Sequence, residues 1–156
     1  MALNANQIPI YANIPKTGVG VISGGFNIVT LGSNTNGVTI YTAASSVGSR
    51  ITSLFANTDD TTAGGVNVFL YILSGATVKP IGLVNVPLSS GNTATARFPV
   101  DMLDPSNIPG LPIDQYGKRY IDLSAGDVLR CGSLATLGTS PSVRSCWITA
   151  IANDYA

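Results

Sequence analysis

The chain has 156 residues, 10% of them charged, and a formal net charge of zero, against roughly 25% charged residues in an ordinary soluble protein. Nothing in that balance suggests electrostatic capture of nucleic acid or of an anionic membrane surface. A neutral, charge-poor surface also has little colloidal repulsion and suits burial in an assembly.

Residues 1–25, MALNANQIPIYANIPKTGVGVISGG, hold Pro9, Pro15 and four glycines between Gly18 and Gly25. Proline disfavours both a helix interior and a central strand, so the segment reads as an extended N-terminal arm rather than a packed element. Its apolar and proline positions, Ile8, Pro9, Ile10, Tyr11, Ile14 and Pro15, are expected to dock on the body of the protein or on a neighbouring subunit. Met1 to Asn13 lacks a basic stretch followed by an apolar run, the pattern of a signal peptide.

A series of short strand candidates follows. The first is Phe26–Leu31, and the next, Val38–Thr42, alternates in polarity after the Asn36-Gly37 turn signal. Arg50–Asn57 places Ile51, Ser53 and Phe55 on one face. Val66–Leu73 has Asn67 as its single strongly polar residue and reads as a strand covered on both faces. Val78–Val86 and Ala94–Phe98 come next. Asp101–Gly117, with three prolines and two glycines, is too long and proline-rich for a hairpin turn and reads as a binding or assembly loop. Its expected contact residues are Ile108, Leu111, Pro112, Ile113 and Tyr116. Arg119–Leu123, Asp127–Ser133 and Ser145–Ala152 complete the series.

Turn-forming residues separate these runs, and strands at 8- to 12-residue spacing point to a sandwich or barrel. Glutamate is absent, and glutamine and lysine are scarce, which removes the strong helix formers. The chain therefore reads as all-β: a single-domain β-sandwich, or jelly roll, of about eight strands over residues 26–156, with the arm at 1–25. No run reaches the ~18 apolar residues of a membrane helix.

Little in the chain points to catalysis. Histidine is absent, which excludes Ser-His-Asp and Cys-His nucleophile arrangements. Cys131 and Cys146 are the two cysteines; two thiols without histidine cannot complete a structural zinc site, and they read as buried free thiols. Asp59-Asp60 sits where turn carboxylates are expected, and Asp101 and Asp104 lack the spacing of a calcium loop. The glycines of TGVGVISGG are not followed by the Lys-Ser/Thr of a phosphate loop. No enzyme activity, cofactor or metal is expected. If Cys146, Ile148 and Ala150 face the core, Trp147 and Ile151 point outward, and Trp147 becomes a candidate subunit contact. Arg50 reads as a solvated charge or an interface ion pair.

Several segments together resemble a known group. They are Thr42-Ala43-Ala44, Gly48-Ser49-Arg50-Ile51, Thr61-Thr62-Ala63-Gly64, Val66-Asn67-Val68-Phe69-Leu70-Tyr71 and the closing Ala150-Ile151-Ala152-Asn153-Asp154-Tyr155. With the proline-containing arm, this pattern is similar to the head decoration (cement) proteins of tailed bacteriophages, over most of residues 38–73 and the C-terminal strand. The resemblance implies a jelly-roll protein of the virion, made in the host bacterial cytoplasm. It would bind the outer capsid surface, bridge major capsid protein subunits and associate with itself, commonly as a homotrimer, with no nucleic acid or membrane partner. It also implies that residues 6–16 cross to a neighbouring protomer or capsid protein. A phage tail-associated module binding a receptor or carbohydrate is the second reading.

Overall fold

The computed structural model describes residues 12–23, 37–59, 65–87, 99–135, 137 and 144–155, with side chains from Pro15 onward. Among them lie nine strands and no helix. They are β1 (Ala12–Ser23), β2 (Val38–Thr42), β3 (Ser49–Thr58), β4 (Val66–Ser74), β5 (Thr77–Val86), β6 (Val100–Asp101), β7 (Ile121–Leu123), β8 (Val128–Ser133) and β9 (Ser145–Tyr155).

All pairings between these strands are antiparallel, and most are nested. β1 pairs with β9, β2 with β8, β3 with both β6 and β7, and β4 with β5. This is a long hairpin rolled on itself, the topology of a jelly roll. Two further ladders, β3 with β9 and β4 with β8, join the nested pairs into sheets. One sheet runs β1-β9-β3-β6, with β7 also on β3; the other runs β2-β8-β4-β5. β7 lies against Ser49–Ile51 and β6 against Phe55–Ala56. The two short strands thus share one place beside β3, and nine strands fill eight positions.

The core lies between the sheets. From the first sheet, Ile22, Ile51, Leu54, Ala56, Ile148 and Ala150 are fully buried; Val68, Leu70 and Leu129 of the second sheet join the same cluster. β9 shows the period of two expected of a strand half-covered by a core: Cys146, Ile148, Ala150 and Ala152 point in, while Trp147 and Ile151 point out. β4 is covered on both faces. Val66, Val68 and Leu70 belong to the main core, whereas Phe69 and Tyr71 stack 5.4 Å apart in a second cluster with Leu73, Val78 and Leu134. Cys131 and Cys146 are buried, one on each sheet, and are not joined by a disulfide. Burial, helped by the neighbouring Cys146, pushes the Cys131 thiol up, so it behaves as a small apolar core residue.

Three expectations change. Residues 12–23 are not an unpacked arm but an edge strand paired along β9. Pro15 is compatible with this because an edge strand tolerates a missing N–H. Gly18 and Gly20 face β2, and a Cβ on Gly18 would lie 2.2 Å from the carbonyl oxygen of Ile40. The glycines therefore let β1 close over β2 and seal that side of the sandwich. Second, Ile51, Ser53 and Phe55 do not share a face. A bulge between Ile51 and Ser53 shifts the register against β9, so Leu54, Ala56 and Thr58 turn inward with Ile51 while Ser53 and Phe55 are only half-buried. Third, β6, at the entry to the proline-rich segment, is not among the expected strands; its two residues are too few to show a period. The candidates Phe26–Leu31 and Ala94–Phe98, and residues 1–11 of the arm, lie outside the described residues.

Candidate functional site

The outward face of the first sheet is built by three strands whose register puts matching side chains in rows. Val21, Trp147 and Asn57 form one row; Val19, Thr149 and Phe55 the next; Thr17, Ile151 and Ser53 the third. None of these nine residues is charged. Val19 is 53% exposed, Val21 39%, Trp147 37% and Ile151 41%. Isolated apolar residues on a surface are ordinary, but a contiguous apolar patch marks an interaction surface. Charge begins only at its margins, with Asp101 of β6 beside Phe55 and Arg50 beside Asn153.

Arg50 anchors one margin. Its Nε donates to Asp122 Oδ1 at 2.8 Å and its Nη2 to Asp122 Oδ2 at 3.2 Å. The guanidinium lies 3.8 Å from the centre of the Tyr120 ring, and Tyr155 donates its hydroxyl hydrogen to Asp122. The carboxylate of Asp122 holds the Arg50 proton more firmly than usual, and burial, reinforced by Asp122, pushes the Tyr155 phenol up to about 12. A planar fork that pairs twice and stacks on a ring is rigid in a way a lysine could not reproduce. Arg50 is thus a structural clamp between β3 and β7, not a free surface charge.

Beneath the same margin a polar network ties the two sheets together. Tyr41 of β2 donates to Asp154 Oδ1 of β9 at 2.7 Å, and Ser49 of β3 donates to the same oxygen at 2.6 Å. Ala44 N–H closes the network on Ser49 Oγ at 3.2 Å. The Ser49 and Tyr41 hydroxyls hold the Asp154 carboxyl below the usual carboxylate range. A carboxyl depressed on folding adds stability above its unfolded value of about 3.9 and loses it as pH falls through the lower folded value. Asp154→Asn should therefore flatten the acid limb: urea midpoints below about pH 4 should fall less steeply in the variant than in the wild type. Parallel acid limbs for the two proteins would show that the network does not persist in solution.

The proline-rich segment is ordered by its own carboxylates. Asp101 accepts from Leu103 N–H at 2.9 Å, Asp104 from Ser106 N–H at 2.8 Å, and Asp114 from the N–H groups of Tyr116 and Lys118 at 2.9 and 2.8 Å. These are the turn roles that short acidic side chains favour. Met102 and Ile108 are fastened in the core. Between this segment and β3 lies a cleft of about 740 Å³ that includes Arg50, Thr52, Asp101, Asp114, Lys118 and Arg119 in its walls. A smaller hollow of about 380 Å³, lined by Pro80, Ile81, Leu111 and Pro112 among others, adjoins it across Tyr120.

The candidate contact residues divide accordingly. Ile108 is 2% exposed and packs over Gly82, and Leu111 packs against the core, so these two hold the loop down instead of offering themselves to a partner. Pro112 is exposed, Ile113 is 55% exposed and Tyr116 at the turn is 78% exposed. Trp147 faces out, as its alternation requires. Ile14 pairs with Asp154 and Pro15 with Asn153 in β1; Ile8, Pro9, Ile10 and Tyr11 lie outside the described residues. Val19 and Val21 were missed. Their signal was the Gly-Val-Gly-Val alternation itself, a period of two hidden by treating the glycines as breakers.

Among the described residues there is no cluster of three or more metal-ligating side chains, and no helix long and apolar enough to cross a membrane. No family profile and no curated protein matches the chain. Among solved structures, a chain of the cyanophage Pam1 capsid asymmetric unit is similar to it, with 13% identity over 98% of each chain and a TM-score of 0.46.

Proposed function

We propose that this chain is a structural virion protein, a decoration or cement protein that binds the outer surface of a phage head, bridges major capsid protein subunits and associates with itself as a homotrimer. The observation that carries the reading is the uncharged outer face of the β1-β9-β3 sheet, with Val19, Val21, Trp147 and Ile151 open to solvent in adjoining rows. Burying such a face against a partner contributes about 25 cal/mol per Å² of apolar area. Repetition over a shell turns modest contacts into a stable lattice. The kind of partner comes from the sequence resemblance. The reading is one of binding and not of catalysis, and the lack of histidine in the sequence supports it.

The test is to mix purified protein with undecorated heads of the source phage and image the pellet. The expected result is many copies per shell, in regular positions on the head. Absence from the head, or a few copies confined to the tail, would remove the proposal. Deleting residues 2–11 is the cleaner probe of the arm, because a cut reaching residue 16 would remove part of β1 and its pairing with β9. That deletion is expected to leave the thermal midpoint unchanged and to weaken head binding. Undiminished binding would show that the arm has no part in it.

A further inference from the structure

The cleft beside the proline-rich loop has features the capsid-binding role does not call on. We propose that it is a binding site for a neutral oligosaccharide of two or three units. Its volume of about 740 Å³ falls in the range of roughly 300–1,000 Å³ typical of small-molecule sites. The walls are fixed before any ligand arrives. β3 forms the floor, and the far wall is a turn held by Asp114, whose N–H donates to the Lys118 carbonyl at 2.9 Å while its carboxylate takes two further amides.

The lining chemistry selects the ligand class. Arg50 is already neutralised by Asp122. That leaves Lys118 and Arg119 against Asp101, Asp104 and Asp114, so the cleft has no positive field to attract a phosphate or a sulfated polymer. What it offers is a close mixture of donors and acceptors. Carboxylates accept from hydroxyls, the ammonium and guanidinium groups donate to them, and Thr52 and Ser53 can do either. Ile113, 55% exposed, and Pro105, also exposed, supply apolar surface for the C–H face of a sugar ring. Tyr120 does not act as a stacking platform, because Arg50 occupies its face. A polyhydroxylated ligand without net charge satisfies all these groups together; an ion satisfies one kind and repels the other.

The test uses the whole chain on a printed array of neutral and anionic glycans, followed by calorimetry with the neutral oligosaccharide that binds most strongly. Lys118→Ala and Ile113→Ser change two exposed side chains and leave the core intact. Each is expected to weaken binding by about tenfold, the cost of one charge-assisted hydrogen bond or of a lost apolar contact. Thermal midpoints should stay level. Absence of any neutral binder, a preference confined to anionic glycans, or full affinity in both variants would overturn the assignment. Head binding by Lys118→Ala, measured in parallel, keeps this outcome separate from that of the capsid role.

Discussion

Gly18→Ala should lower the unfolding free energy by about 3 kcal/mol, a large share of the roughly 5–15 kcal/mol that holds a domain folded. In most strands the same change is mild or favourable, because alanine restricts the unfolded chain more than glycine does. Here the added carbon would lie 2.2 Å from the carbonyl oxygen of Ile40 and 3.1 Å from the Tyr41 ring. A backbone oxygen cannot move aside as a side-chain tip can, so β1 would have to lift away from β2. Lifting it loosens the cover over Ile22, which is fully buried, and strains the ladder to β9. Gly20→Ala is the internal control. Its nearest neighbour would be the Ile40 Cγ1 at 3.0 Å, a side-chain atom that can shift, and its cost should be markedly smaller. Urea unfolding of the two variants beside the wild type reads the difference directly. Equal midpoints for Gly18→Ala and the wild type would mean that β1 does not close over β2 in solution.

The same glycines show where sequence reading reached its limit. Strands β2, β4, β5, β8 and β9 were legible because each either alternates or forms an apolar run bounded by turn residues. Those periods follow directly from burial on one face or two. β1 was opaque because the residues that make it a strand in this fold are those that usually interrupt one. Gly18 is required by the approach of β2, a contact between residues some twenty positions apart, and no local pattern announces it. The bulge in β3 failed for a related reason. Period counting assumes an unbroken ladder, and a single shift after Ile51 exchanges the faces of every residue beyond it. The candidate site divides in the same way. Trp147 was legible from the alternation of β9 alone. Its row with Val21 and Asn57, like the pairing of Arg50 with Asp122, depends on which strands lie side by side. Ile108 illustrates the opposite error: an apolar residue in a proline-rich loop serves equally well as an anchor or a contact, and only burial distinguishes the two.

Charging the outer sheet face is expected to cost 100-fold or more in affinity for phage heads while leaving the fold intact. Val19→Lys and Ile151→Lys place a cation on two neighbouring rows of the uncharged patch, at positions 53% and 41% exposed. In the free protein those side chains reach water, and surface changes of this kind stay within about 0.5 kcal/mol of the wild type. In a complex that buries the face, each lysine must give up its hydration without a partner, a penalty of several kcal/mol per ion; 1.4 kcal/mol is already tenfold in affinity. Trp147→Ser addresses the same surface by subtraction. A tryptophan at the centre of an interface commonly carries 2 kcal/mol or more, roughly 30-fold. Because Trp147 stands opposite Val21 and Asn57 in the sheet and is more than half covered, its removal costs some stability of its own, which is why the lysine variants are the decisive ones. Cosedimentation with undecorated heads measures binding, and thermal melting verifies the fold. If both lysine variants melt like the wild type and still decorate heads fully, the partner does not sit on this face. The exposed Tyr116 turn would then be the next surface to probe.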